Sequence, residues 1–162
     1  MLKSFLAAML ALALAGGSAL AAGSESPSPS PSPSPSPSTS NPSKYEEAVE
    51  HIEAERYAQA VPLLEQVVQQ DADNADAWNY LGFAYRNLQR FDKAFAAYNQ
   101  ALLIDSDHDG ANEYLGELYL MVGDLDSAEQ QLQVLDDNCT FSCDEYNELK
   151  DAIAQYKAEH GS

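Results

Sequence analysis

Ala60, Ala94 and Ala128 stand 34 residues apart, and a whole pattern travels with them. Twelve positions earlier sit the small residues Ala48, Gly82 and Gly116, and three positions earlier sit Tyr57, Phe91 and Leu125. Leu64, Tyr98 and Leu132 follow each alanine by four positions, and Val67, Ala101 and Leu135 close the units. A fixed period of this length is the mark of a stacked helical array. Within the middle unit, Trp78, Leu81, Gly82 and Tyr85 fall at helical spacing, and after a turn around Gln89 and Arg90 so do Phe91, Ala94, Tyr98 and Ala101. Two apolar stripes of period near 3.6 joined by a short polar turn describe a helical hairpin. The small residues Gly82 and Ala94 are expected to let the two backbones approach. One hairpin cannot bury its own apolar face, so neighbours must stack.

The set Trp78, Leu81-Gly82, Tyr85, Phe91, Ala94, Tyr98 and Ala101 resembles the tetratricopeptide repeat. The resemblance places repeats at 41–74, 75–108 and 109–142, with Ser106 where the family has proline and Asn112 where it has tryptophan. The first unit is the least typical, with Glu47 and His51 in place of leucine and tyrosine, as an outer unit facing water tends to be. Tyr146, Leu149, Ile153 and Tyr156 form one further apolar stripe, predicting a capping helix over 143–158. Ser142 to Glu145 reads as its capping box, with Phe141 and Tyr146 as the hydrophobic staple. The expected fold is all-α: a solenoid of three helical hairpins plus a C-terminal cap, seven helices spanning residues 44–159.

Residues 1–21 have the composition of a signal peptide, with Lys3, an apolar run from Phe5 to Ala15, and Ala19-Leu20-Ala21 at the cleavage site. Retention as an uncleaved anchor is the alternative, although the run is short against the roughly 20 apolar residues of a spanning helix. No cysteine follows the run, which argues against a lipid anchor. Residues 22–43 are a Ser/Pro-rich linker whose alternating prolines forbid helix and sheet. It reads as a disordered tail or, with a retained anchor, as a spacer of about 60 Å at 3.1 Å per residue. Cys139 and Cys143 are the two cysteines, and in an exported chain such a pair suggests a disulfide. Zinc would need four ligands, and thiol-exchange motifs carry two intervening residues rather than three. The capping region and the run from His108 to Leu120 resemble small exported bacterial proteins of the same repeat family, which implies a Gram-negative periplasm.

The charge is −18, and loss of Lys3 with the signal leaves −19. Such a surface repels nucleic acid and anionic lipid headgroups, and suits solubility or a basic partner. Asp105, Asp107, Asp109 and Gly110 open like a calcium loop, but its twelfth position is Gly116 and Glu117 comes one residue late. An inter-repeat turn is the preferred reading, and no metal or cofactor is expected. No catalytic set appears either, with His51, His108 and His160 far apart in the repeat scheme.

The family resemblance implies a concave face built from the first helix of each pair. Its exposed positions are Tyr45, Val49 and Glu53, then Asn79, Tyr80, Phe83 and Asn87, then Glu113, Tyr114, Glu117 and Met121. Tyr45, Tyr80 and Tyr114 would form a ladder of rings that serve either as contact residues or as packing between helices. Some relatives grip peptide C-termini with lysine, arginine and asparagine here. The corresponding Tyr45, Val49, Tyr80, Gly110 and Tyr114 cannot hold a carboxylate. The expectation is a non-enzymatic module binding a protein or peptide segment, with a calcium protein or a self-associating envelope protein as alternatives.

Overall fold

The computed structural model describes residues 43–140 and 143–161. The signal-like segment, the Ser/Pro tract up to residue 42, and both Phe141 and Ser142 lie outside the described residues. Those described form seven α-helices and no strand: α1 Lys44–Glu53, α2 Tyr57–Gln70, α3 Ala75–Asn87, α4 Phe91–Ile104, α5 Asp109–Met121, α6 Leu125–Asn138 and α7 Asp144–His160. The pairs α1–α2, α3–α4 and α5–α6 are hairpins, and each second helix packs on the first helix of the next pair.

Each hairpin turns in the same way. The N–H groups of Arg56, Arg90 and Asp124 donate to the carbonyls of His51, Tyr85 and Tyr119, closing the end of the first helix. That closure needs a left-handed residue just before it, and Glu55, Gln89 and Gly123 all have positive φ. Gly123 takes this conformation without steric cost, whereas Glu55 and Gln89 hold it against a penalty of roughly 1 kcal/mol. Caps start the first helices. Ser43 and Glu46 form a capping box on α1, while Asn74 and His108 accept from Ala77 and Ala111 at the starts of α3 and α5. The Ser-x-x-Glu pattern at 43–46 encodes the box on α1.

Two apolar clusters fill the interior. The larger runs from Ala48 and Ile52 through Leu64, Leu81, Tyr85 and Tyr98 to Leu115 and Leu118. The smaller joins Ala128, Leu135, Leu149 and Ile153, and Tyr119 packs against both. The equivalent glycines reveal why the last unit differs. A Cβ on Gly82 would stand 2.6 Å from the ring of Tyr98, its own hairpin's aromatic, rather than simply facing Ala94. In the third unit Leu132 holds that aromatic's position, and the notch is met from outside the hairpin. There a Cβ on Gly116 would stand 2.5 Å from Leu149 of α7. The cap therefore keys into a hole the last hairpin leaves open.

Helix α7 starts one residue later than expected and runs to His160. Its N-cap is Cys143, which makes no side-chain capping bond, and the capping serine and staple phenylalanine expected at 142 and 141 lie outside the described residues. The sulfur is engaged instead in the Cys139–Cys143 disulfide, which joins the C-cap of α6 to the N-cap of α7. Closing so short a loop restricts the unfolded chain little, worth about 2 kcal/mol in the chain-entropy model. Replacing both cysteines by serine is expected to lower stability by no more than this. Urea midpoints of the variant and the oxidised protein provide the check, and a larger loss would mean that the bond also positions α7.

Candidate functional site

The first helices α1, α3 and α5 lie side by side and form one face. Tyr45 meets Tyr80 edge-on at 6.0 Å between ring centroids, and Phe83 meets Tyr114 at 5.0 Å. All four rings are half-buried, resting on the core beneath while part of each remains at the surface. The expected ladder of Tyr45, Tyr80 and Tyr114 on successive helices is met as two ring pairs, Tyr45–Tyr80 and Phe83–Tyr114. Burial first, then neighbouring acidic groups, pushes the Tyr45 hydroxyl up to about 12. Val49 is half-buried on the same face, and Glu53, Asn87 and Met121 are exposed.

Two of the residues expected to be exposed there are not. Asn79 is only 6% exposed and Glu113 only 3%. Asn79 is enclosed because Gly110, lacking a side chain, lets α5 approach until a Cβ there would be 3.2 Å from the Asn79 amide nitrogen. Glu113 is enclosed because α7 packs against α5 as well as α6, bringing Glu148 into hydrogen-bonding contact with its carboxyl. Burial, this hydrogen bond and the charges of Glu117, Glu148 and Glu145 push Glu113 up to about 8, so at neutral pH it carries a proton.

The position of α7 also makes it a wall of the face. An open pocket of about 720 Å³ lies between α3, α5 and α7, lined among others by Arg86, Glu117, Leu120, Met121, Tyr156 and Glu159. Arg86 is ion-paired with Glu117, and its guanidinium lies 5.2 Å from the Phe83 ring centroid and 5.1 Å from that of Tyr114. Such stacking and pairing hold a cation firmly. Sequence reasoning missed Arg86 and the α7 residues. The signal was present: Ala152, Gln155, Tyr156 and Glu159 form a second helical stripe, and all four line the pocket. Tyr156, assigned to the packing stripe, instead stacks on His160 at 4.1 Å.

The acidic run between α4 and α5 is an inter-repeat turn. Asp105 caps the end of α4 and accepts from the Asp107 amide, but the cap of α5 is His108 rather than an aspartate. His108 also bonds Asp76 at 3.1 Å, and His51 bonds Arg56 at 2.9 Å. Each histidine thus has a local structural contact.

Models of the tetratricopeptide repeat match residues 45–109 and 88–153. No curated protein matches the sequence. Among solved structures, the type III secretion translocator chaperone SycD of Yersinia enterocolitica is similar, with a TM-score of 0.66 at 16% identity over 74% of this chain and 84% of that one. The second TPR domain of human RPAP3, solved with the HSP70 peptide SGPTIEEVD, gives 0.61 at 20% identity over 68% of this chain and 92% of that one. PcrH, solved with the chaperone-binding region of PopD, gives 0.62 at 19% identity, covering 73% and 89%. With two family models spanning nearly every described helix, the chain belongs to the tetratricopeptide repeat family.

Proposed function

We propose that this protein is an exported, non-catalytic binding module that holds an apolar segment of another protein along the face of α1, α3 and α5, against the wall of α7. The observation that carries this reading is the half-buried aromatic surface of Tyr45, Tyr80, Phe83 and Tyr114, with Arg86 lying over Phe83 and Tyr114 and also lining the α3–α5–α7 pocket. Rings fixed in this way offer large contact area at low entropic cost. Peptide or segment complexes of RPAP3 and PcrH, which share the fold, support it. Capture of a C-terminal carboxylate is not part of the proposal, because Arg86 is already paired with Glu117. The composition of residues 1–21 supports export, with the Gram-negative periplasm as the proposed compartment.

A photoreactive residue in place of exposed Asn87 is expected to crosslink a defined envelope partner, whereas one replacing Leu103, 80% exposed on α4, is not. Tyr80→Ala together with Tyr114→Ala should reduce capture at Asn87 more than tenfold, on the scale of interface hot spots, with circular dichroism showing the helices intact. Equal capture from both positions, or capture that survives loss of the rings, would sink the groove reading.

A further inference from the structure

Helices α2 and α4 both pack on α3 but not on each other. The gap between them holds an open cavity of about 630 Å³, which shares no lining residue with the pocket beside α7. Buried Val68, Leu81 and Tyr85 form its floor, and Trp78 stands beside them. Both rings are fixed by their polar ends. The Trp78 indole N–H donates to the Ala72 carbonyl at 2.9 Å, and the Tyr85 hydroxyl donates to a Glu65 carboxylate oxygen at 2.5 Å. What they leave for the cavity is ring carbon.

Two opposite charges stand around this apolar floor. Lys93 is exposed, with its ammonium 5.0 Å from the Tyr85 ring centroid, and Glu65 sits half-buried at the same ring's hydroxyl. Both line the cavity, yet they form no ion pair with each other or with another described residue. A wholly anionic ligand would meet Glu65 and a chain of net charge −18, and a wholly cationic one would meet Lys93. A zwitterion with an apolar side chain matches both charges and the floor at once. The cavity also has the size of small-molecule sites, roughly 300–1,000 Å³. The next gap, between α4 and α6, separates packing from chemistry. Leu81 and Tyr85 recur there as Leu115 and Tyr119, whereas Glu65, Trp78, Lys93 and Ala96 give way to Asn99, Asn112, Ser127 and Gln130. The charges, the indole and the space belong to the first gap alone.

We propose that the α2–α4 cavity binds a free α-amino acid with an apolar or aromatic side chain. Lys93 takes its carboxylate, Glu65 its ammonium, and Trp78 and Leu81 its side chain. The site is separate from the groove, and either can stand without the other.

Trp78 is the chain's single tryptophan, so its fluorescence reports on this cavity. The test titrates the full chain with L-phenylalanine, and in parallel with 3-phenylpropionate, which lacks the ammonium, and phenethylamine, which lacks the carboxylate. L-Phenylalanine is expected to shift the emission saturably and to bind about tenfold more tightly than either, the scale of one hydrogen bond to a charged group. Lys93→Gln should remove its advantage over phenethylamine, and Glu65→Gln its advantage over 3-phenylpropionate. Ala96→Gln, at an exposed position, introduces the side chain that Gln130 provides in the next gap. It should abolish the shift with circular dichroism unchanged. No saturable shift, equal binding of the three compounds, indifference to both charge substitutions, or a shift that survives Ala96→Gln overturns the assignment.

Discussion

Tyr98→Ala is expected to destabilise the protein by about 3–5 kcal/mol, the range for removing a fully buried aromatic. Tyr98 is the largest fully buried side chain, its ring lies against the notch of Gly82, and it approaches Tyr114 at 6.4 Å. Truncation leaves a cavity between α3 and α4 that the glycine cannot fill. A marginally stable array loses a large share of its folding free energy at a stroke. Tyr98→Phe should behave in the opposite way. It keeps the ring and deletes a hydroxyl with no partner, so stability should be unchanged or higher by about 1 kcal/mol. Urea denaturation of the three proteins separates the two contributions. A Phe variant as unstable as the Ala variant would show that the hydroxyl, not the ring, holds the hairpin.

Glu113 gives the second large effect, one that depends on pH. In the unfolded chain its carboxyl titrates near the usual 4.5, whereas in the fold burial and the neighbouring carboxylates hold it at about 8. The folded state therefore keeps a proton that the unfolded state releases. Stability from this group is complete below about 4.5, declines as pH rises, and is lost above about 8. Within the window each pH unit costs up to about 1.4 kcal/mol. The groups facing Glu113 are Glu117 on its own helix and Glu145 and Glu148 on α7, so its ionisation adds repulsion where the cap docks. Glu113→Gln should match the wild type near pH 4 and exceed it at pH 8.5. Thermal midpoints at the two values decide the matter, and parallel pH dependence in both proteins would refute the buried, protonated carboxyl.

The helices themselves were legible from local pattern. Gly82, Ala94 and Tyr98 lie at spacings that mean the same thing in any chain, and the recurring left-handed turn residue follows from closing each hairpin. Aromatic positions were legible too, but whether a ring packs or faces outward was not. Tyr45, Tyr80 and Tyr114 do both, because a ring is larger than the gap between two helices. The pocket was legible only in part. Glu117 and Met121 were placed on it, yet Arg86, Gln155 and Glu159 were not, since their importance comes from the lateral position of α7.

Periodicity alone dictated the number, order and pairing of the helices, because each hairpin's apolar stripes and turn are encoded within a few tens of consecutive residues. Tertiary packing decided the rest. Leu149 of α7 fills the Gly116 notch, and the cap packs against α5 as well as α6. With α7 in that place, Glu113 is buried and the α3–α5–α7 pocket has its wall. Such outcomes depend on how far one side chain reaches toward a helix remote in the chain, and no local spacing records that distance.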